Sequence, residues 1–357
     1  MADLHRDKRK GRAAQRSRAV ALGGGHGLHA SLSALCLLDV DITAVVTVAD
    51  DGGSSGRIRR EIDVLPPGDL RMAVAALADG RIAAADGPSW AELLQHRMGG
   101  SGVLAGHPIG NLLLTGLMEL RGDSVSALDD LTSMVRARGR VLPMSARPLD
   151  LSAEVVSVDP DDPVRSRRIR GQSSIAATAG RVRSVELIPP DAPACAEALQ
   201  AIDEADLIIL GPGSWFTSVI PHLLVPDLAR ALIRTGATVV VVLNLEPQVG
   251  ETDDFSPEEH LRVLAGHCPE LRIDAVVADS AFVTAPAGLQ RYVAALGARL
   301  ILTPVAAPGA EARHDPDRLS RAIADASGLS DVIEADAFAP NAVDAFGPSA
   351  VSEEGVS

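Results

Sequence analysis

Three short polar stretches carry the residue types that could do chemistry in this sequence. The first is Leu22–Leu28, LGGGHGL, which follows the apolar Ala19–Ala21 and precedes a helical pattern over 28–38. A strand that breaks into glycines and then opens a helix leaves unpaired backbone N–H groups at the positive end of the helix dipole. That is a ready anion site. Gly24, Gly25 and Gly27 let a phosphate reach the backbone and permit positive φ in the turn. His26 is a side-chain donor in their midst or a polar spacer, and the glycines would equally serve plain helix-on-strand packing.

The second stretch, Thr47–Arg57, reads TVADDGGSSGR and comes one βαβ unit later, after the apolar strand Ile42–Val48. Asp50 and Asp51 are adjacent carboxylates at a strand's carboxyl end. They suit Mg²⁺ bridging a diphosphate, or ribose hydroxyls, and Asp-Asp-Gly-Gly is also a good turn in its own right. Gly52, Gly53 and Ser54 supply donors that a bare turn does not need. The third stretch, Gly211-Pro212-Gly213-Ser214, again lies between a strand and a helix and could grip a phosphate or a base.

Other polar residues stand where elements begin or end. Asp69 and Arg71 open a helix after Pro66-Pro67, with Asp69 a ligand residue or simply an N-cap. His107 and Asn111 begin another helix. Asn244 ends the strand 238–245, TVVVVLNL, where a buried amide must be satisfied by something. The polar loop Gln248–Thr252 follows it. Arg313-His314-Asp315 comes after the last strand; Arg313 can pair with phosphate, and Asp315 can cap the helix that Pro316 opens.

The elements that would position these residues alternate. Strands are expected at 18–22, 42–48, 206–210, 238–245, 274–278 and 299–305. Helices are expected at 28–38, 69–78, 85–98, 106–120, 124–137, 193–204, 215–235 (interrupted by Pro221 and Pro226), 257–265, 285–297 and 316–327. The pattern changes over 141–190, where β-like runs at 151–158 and 182–187 flank an arginine-rich middle, as in an antiparallel insertion or flap. The fold class is therefore α/β, a Rossmann-like three-layer α/β/α sandwich on a mainly parallel sheet with a small β-rich insertion. The domain spans 18–330, between a basic disordered tail over 1–17 and a low-order acidic tail over 331–357. Loops at the carboxyl ends of neighbouring parallel strands would face one crevice.

Composition narrows the function. The 357 residues carry a formal net charge of −14, with 46% hydrophobic and only 2% aromatic residues. A general nucleic-acid or membrane-surface binder is disfavoured, and base-stacking platforms are scarce. No apolar run reaches membrane-spanning length, and no apolar segment follows the basic stretch in the manner of a signal peptide. Cys36, Cys195 and Cys268 match no metal spacing and read as reduced thiols of a cytoplasmic protein. Lysine occurs only at Lys8 and Lys10, so a Walker loop and a catalytic lysine in the body are excluded. Phosphate charge must be met by arginine, backbone N–H groups or a metal ion. The run Gly23-Gly24-Gly25-His26-Gly27 lacks the third glycine of a dinucleotide fingerprint, which disfavours a nicotinamide enzyme. No nucleophile–base pair stands out.

Seven blocks occur in order: GGGHGL, TVADDGGSSGRIR, PPGDLR, GHPIGNLLL, GPGSWFTSVIP, NLEPQVGET and RHDP. Together they resemble the YvcK family of bacterial gluconeogenesis factors, in the CofD-like superfamily, over roughly residues 18–328. The resemblance implies cytoplasmic binding of a UDP-sugar, notably UDP-N-acetylglucosamine (UDP-GlcNAc). It also implies a part in cell shape and peptidoglycan synthesis during gluconeogenic growth. Carried over by position, the site would use Gly24, Gly25, His26, Gly27, the Asp50–Ser54 loop, Asn111, Gly211–Ser214 and Asn244, with Tyr292 and Arg313 as further ligand contacts. The other branch of the superfamily transfers 2-phospho-L-lactate to a deazaflavin in coenzyme F420 synthesis. A transferase of that type, using a nucleotide diphosphate and Mg²⁺ on Asp50 and Asp51, is the alternative. The segment DVLPPGDLR, where that branch has a PDLDT-like sequence, argues against the deazaflavin reaction. Cell-wall synthesis proteins and a second copy of the chain are the expected macromolecular partners.

Overall fold

The computed structural model describes residues 16–79, 87–158, 165–178, 180–248, 251–252, 255–309 and 312–329. Almost all of the basic leader, the whole acidic C-terminal tail, Val249, Gly250 and the first residues of the expected helix 85–98 lie outside these. The chain begins with β1 (Ser17–Gly23), α1 (Gly25–Leu35), β2 (Val40–Val46), α2 (Gly53–Glu61), α3 (Pro67–Leu77), α4 (Trp90–Gln95), α5 (Ile109–Arg121), α6 (Ser124–Met134) and β3 (Gly139–Pro143). A small subdomain follows: β4 (Asp150–Val156), β5 (Arg167–Arg170), α7 (Gln172–Ala176) and β6 (Arg181–Ile188). Alternation then resumes with α8 (Ala196–Asp203), β7 (Leu207–Leu210), a five-residue π-helix (Trp215–Val219), α9 (Pro221–Leu224), α10 (Pro226–Arg234) and β8 (Thr238–Val242). The chain closes with α11 (Pro257–His267), β9 (Ala275–Asp279), α12 (Pro286–Ala295), β10 (Arg299–Thr303) and α13 (Pro316–Ser327).

Seven strands pair in the order β10-β9-β8-β7-β1-β2-β3, every pair parallel. The inner strands are apolar and buried on both faces, as layers of helices on each side require. Strand order runs outward from β1 through β2 to β3, then reverses, and β7 returns to the other edge of β1. The carboxyl ends of β1 and β7 thus form a topological switch point. Open α/β sheets bind their ligands at such a point.

Four departures from the expected elements have local causes. The glycine run is itself the first turn of α1, which starts at Gly25 rather than at Leu28. The Asp-Asp loop winds into α2 at Gly53, although Gly-Ser-Ser-Gly has poor helix propensity, because Ser54, Ser55 and Gly56 are buried by neighbouring elements. Residues 141–143, which the change of pattern assigns to the insertion, belong to β3 on the main sheet; a five-residue strand beside β2 carries little periodicity of its own. The expected helix 215–235 divides into three segments, and Pro221 and Pro226 stand at the first positions of α9 and α10. The insertion is a three-stranded antiparallel sheet in the order β5-β4-β6. Its edge strand β5, RRIR, reads as loop in sequence because three of four residues are arginine, and such charge guards an exposed edge.

One close approach fixes the sheet edge. A Cβ on Gly27 would overlap the Pro212 carbonyl oxygen and Gly213 Cα. Buried Ser31 Oγ, one turn on, donates to the Gly211 carbonyl at 2.7 Å. Alanine at 27 would gain about 1 kcal/mol of helix propensity, but overpacking against backbone costs about 1–3 kcal/mol and wins. Gly27→Ala is therefore expected to lower the urea midpoint. Gly99→Ala, where no atom lies within 4 Å of the added carbon, serves as the control and is expected to leave it unchanged.

Candidate functional site

Gly24 caps α1 in extended conformation and Gly25 follows at φ +56°. A Cβ on Gly24 would lie 2.5 Å from both Asp69 Oδ2 and Thr47 Cγ2, and 3.3 Å from Ser218 Oγ. Three elements thus converge on the face of this glycine: the end of β2, the first turn of α3 and the π-helix. Thr47 Oγ1 and Asp69 Oδ2 are both sealed from solvent without a hydrogen-bond partner. A polar atom buried in this way costs stability unless something meets it.

Asp69 is not the N-cap of α3. Pro66 holds that position, and Asp69 lies a residue after Pro67-Gly68, with its carboxylate turned to α1 to accept from the Gly25 N–H. Burial, then the nearby charge of Asp50, push its pKa up to about 7. Asp50 accepts from the Gly52 N–H at 2.9 Å and from the Ser55 hydroxyl, which itself accepts from the Gly68 N–H at 3.0 Å. Burial and the Asp51 charge raise the Asp50 pKa. Asp51 turns elsewhere: its Oδ1 accepts from Ser173 N at 2.8 Å and Ser173 Oγ at 2.9 Å, at the first turn of α7. Asp50 therefore acts electrostatically on a second buried carboxylate, Asp69, as well as facing the charge of its sequence neighbour.

Arg71 lies close to this pair and is 4% exposed. Burial, then Arg97, lower its pKa to about 10, and the charges of Asp69 and Asp50 oppose that shift. Its Nε donates to Asn111 Oδ1 at 3.1 Å; Asn111 Nδ2 donates to Ser54 Oγ at 2.9 Å; Ser54 Oγ meets His107 Nδ1 at 2.8 Å. This buried chain explains why Asn111 and His107 open α5 facing α2. His26 and His29 stand near Arg71, and burial lowers both their pKa values, that of His29 to about 4. Neutral imidazoles suit a site that already holds a buried guanidinium.

The third wall is Gly211–Ser214. Asn244 clamps it, accepting from Gly213 N at 2.8 Å and donating to Gly213 O at 2.9 Å. Glu251, absent from the residue-type expectations except as part of a polar loop, is buried beside it. It accepts from Ser214 Oγ at 2.6 Å, Thr217 Oγ1 at 3.0 Å and Phe216 N at 3.4 Å. Burial raises its pKa. Thr47, Glu251, Ser173 and Arg97 are the residues that motif spacing did not single out; each touches or faces the site only through tertiary packing. Arg313 stands in the loop after β10 with its side chain exposed. Tyr292 sits midway along α12, which packs on α11 and β10, and Arg262 lies over its ring at 5.6 Å. Neither of these neighbours belongs to the glycine loops.

Asp50 and Asp69 supply hard oxygen donors, one of them unpartnered, and both resist ionisation while no cation is near. That donor set fits Mg²⁺, which takes one or two carboxylates and completes its shell with water and phosphate oxygens. Among the described residues no three or more His, Cys, Asp or Glu side chains gather to hold a metal by themselves. No helix among them is long and apolar enough to cross a membrane.

Residues 19–303 match the model of a family described as 2-phospho-L-lactate transferase CofD. A provisionally named gluconeogenesis factor of Mycobacterium tuberculosis is 53% identical over 304 residues, covering 84% of this chain and 87% of that protein. The gluconeogenesis factor of Halalkalibacterium halodurans is 39% identical over 254 residues, covering 71% of this chain and 74% of that one. A crystal structure of a UPF0052 family member from Bacillus halodurans superposes with a TM-score of 0.76 at 34% identity, over 87% of this chain and 99% of that chain.

The Asp69 carboxyl has a measurable consequence. The folded protein keeps its proton up to about pH 7, while the unfolded chain releases it near 3.8. Between those values unfolding releases a proton, so this group lowers stability as pH rises. Asp69→Asn, which keeps the acceptor for Gly25 N–H, is expected to lie within about 1 kcal/mol of the parent near pH 4.5. Near pH 8 it should exceed it by on the order of 2–4 kcal/mol in urea unfolding. A difference that does not grow with pH would contradict the assignment.

Proposed function

The chain belongs to the CofD family, within its branch of YvcK gluconeogenesis factors, and from that premise we propose that it binds a UDP-sugar, UDP-GlcNAc above others, and does not turn it over. The observation that carries this reading is the pair of sealed, unpartnered oxygens, Thr47 Oγ1 and Asp69 Oδ2, on two side chains that pack against Gly24 at the N-terminus of α1. They lie at the switch point of the sheet, where α/β folds bind nucleotides. The glycine turn supplies backbone N–H groups for a diphosphate. Arg71 and a Mg²⁺ ion on Asp50 and Asp69 supply the positive charge that the lysine-free body lacks. Asn111 and Ser54, in the chain that leads from Arg71 to His107, form the second wall, and Gly211–Ser214 with Asn244 the third. Arg313, exposed at the same sheet edge, is proposed as a contact by position; Tyr292 is proposed on the resemblance alone.

The absence of a nucleophile–base pair in the sequence motifs favours sensing over catalysis. The proposed role is cytoplasmic: occupancy by UDP-GlcNAc reports cell-wall precursor supply to peptidoglycan synthesis proteins during gluconeogenic growth, with the protein acting as a homo-oligomer. A second reading has one observation in its favour. The Asp50–Asp69 pair would also suit Mg²⁺ and a nucleotide diphosphate in a 2-phospho-L-lactate transferase.

Calorimetry with UDP-GlcNAc and Mg²⁺ tests the first reading. Saturable binding with no product formed is expected, and Asp50→Ala and Arg313→Ala should each weaken it by about tenfold or more. Tight binding that survives both substitutions would overturn the site. Turnover of the deazaflavin acceptor with activated phospholactate would replace the first reading by the second.

A further inference from the structure

Beyond Thr47 and Asp69, the buried polar atoms without a partner among the described residues are Oε1 of Gln172 and Gln248 and Nε2 of His260 and His314; the last stands in the loop after β10, at the carboxyl edge of the sheet. The loop that carries it is rigidly placed. Asp279, the last residue of β9, accepts from Val305 N at 2.6 Å and Ala306 N at 2.7 Å through Oδ2, and from Ala281 N at 2.7 Å through Oδ1. Ala307 N donates to Arg313 O at 2.8 Å and Asp315 N to Val305 O at 2.8 Å, which pairs the segment 313–315 with the loop that Asp279 holds. Asp315 then caps α13 through Arg318 N at 2.9 Å. His314 is thus braced from both sides.

Its ring state follows from its partners. His314 bonds to the backbone of Leu243. The Leu243 N–H is already spent on Val277 O at 3.0 Å, so the acceptor is the Leu243 carbonyl. Since Nε2 has no partner, the donor must be Nδ1–H. That fixes the tautomer: Nδ1 is protonated and Nε2 carries a lone pair. Burial holds the imidazole neutral, with a pKa near 4 despite the neighbouring Asp279. Leu243 immediately precedes Asn244, whose amide clamps Gly213, so the imidazole is tied to the strand end that carries the clamp of the third wall.

A sealed lone pair selects what can meet it. A phosphate oxygen is itself an acceptor and is repelled there, whereas the glycine walls offer it donors. We propose that His314 Nε2 is a specificity-determining acceptor that takes a hydrogen bond from a hydroxyl or amide N–H of the nucleotide-sugar on the β8–β9 side of the crevice. The inference rests on the nucleotide-sugar reading above. The donor can come from the sugar, as a hydroxyl or the N-acetyl amide, or from the uridine half, as a ribose hydroxyl or the uracil N–H.

Asn and Gln separate the two ring nitrogens, because the Asn amide reaches only the δ position and the Gln amide reaches the ε position. His314→Asn keeps a donor for the Leu243 carbonyl and deletes the ε acceptor. His314→Gln restores an acceptor at the ε position and loses the δ donor. Calorimetry with UDP-GlcNAc should show affinity about tenfold or more weaker for His314→Asn, and within about threefold of the parent for His314→Gln. A merely structural role through Nδ1 predicts the reverse order. Titration with UDP locates the donor: a loss confined to UDP-GlcNAc places it on the sugar, and an equal loss for UDP places it on the uridine. Unchanged affinity in folded His314→Asn, or equal losses in both variants, overturns the inference while leaving the nucleotide-sugar reading intact. Failure of the parent protein to bind UDP-GlcNAc or UDP overturns that reading and the inference with it. Should either variant fail to fold, the ¹⁵N resonance of Nε2 in the parent protein decides. It should move on ligand addition, and a resonance that stays fixed rejects the proposal.

Discussion

The contact between the first turn of α1 and the loop after β7 is the constraint on which the site depends. Gly27 lies so close to Pro212 and Gly213 that no side chain fits between them. Ser31 fastens the same seam to the Gly211 carbonyl. Two strands far apart in the chain are neighbours in the sheet, and their loops would normally splay at the switch point. Here they are locked together at backbone distance. The amino end of α1, with its dipole and its unpaired N–H groups, is thereby held against the third wall. Asn244 and Glu251 then set the shape of that wall, one by bonding both faces of Gly213 and the other by anchoring Ser214 and Thr217.

Beneath this seam the interior holds more charge than its hydrogen bonds neutralise. Asp50 and Asp69 share one buried region with Arg71; burial makes both carboxyls harder to ionise, and the Asp50 charge adds to that at Asp69. Burying such groups is costly unless they are paired. Arg71 offsets part of the cost, and its own side chain is positioned through Asn111, Ser54 and His107. The remaining imbalance is what a cation-bound anion would correct. Folding strain of this kind at a crevice is the pattern expected of a ligand site rather than of a structural ion pair.

The antiparallel subdomain is tied to the second wall rather than simply appended to the sheet. Asp51 holds the start of α7 through Ser173. Asp150, at the start of β4, bridges Arg59 of α2 at 3.0 Å and Arg170 of β5 at 2.6 Å. Half-exposed ion pairs contribute little stability one at a time. Their value here is geometric, since Asp51–Ser173 and Arg59–Asp150 tie the Asp50–Arg59 segment to the subdomain and Arg170 braces Asp150 from within it. A displacement of that segment would be passed to the subdomain, and the reverse.

Local sequence specifies the layer architecture, six of the seven parallel strands, the antiparallel character of the insertion and the loops between strand and helix at the sheet's carboxyl edge. Each of those is a local property: apolar runs of strand length, glycines between strand and helix, prolines at helix starts. It also excluded a lysine-dependent phosphate site, since that is a matter of composition. What it missed depends on neighbours distant in the chain. β3 is a strand because β2 lies beside it, and α2 is a helix because its small residues are buried. Asp50 and Asp51 look like a pair in sequence, yet successive side chains of an extended segment point apart. Tertiary packing alone gave Asp50 to Asp69 and Asp51 to Ser173. Thr47, Glu251 and His314 all lie inside motif blocks, TVADDGGSSGRIR, NLEPQVGET and RHDP, but the blocks fix neither the partners of the first two nor the tautomer and unshared lone pair of the third. Those were decided by burial and by which backbone groups were already bonded, quantities that exist only once the chain has folded.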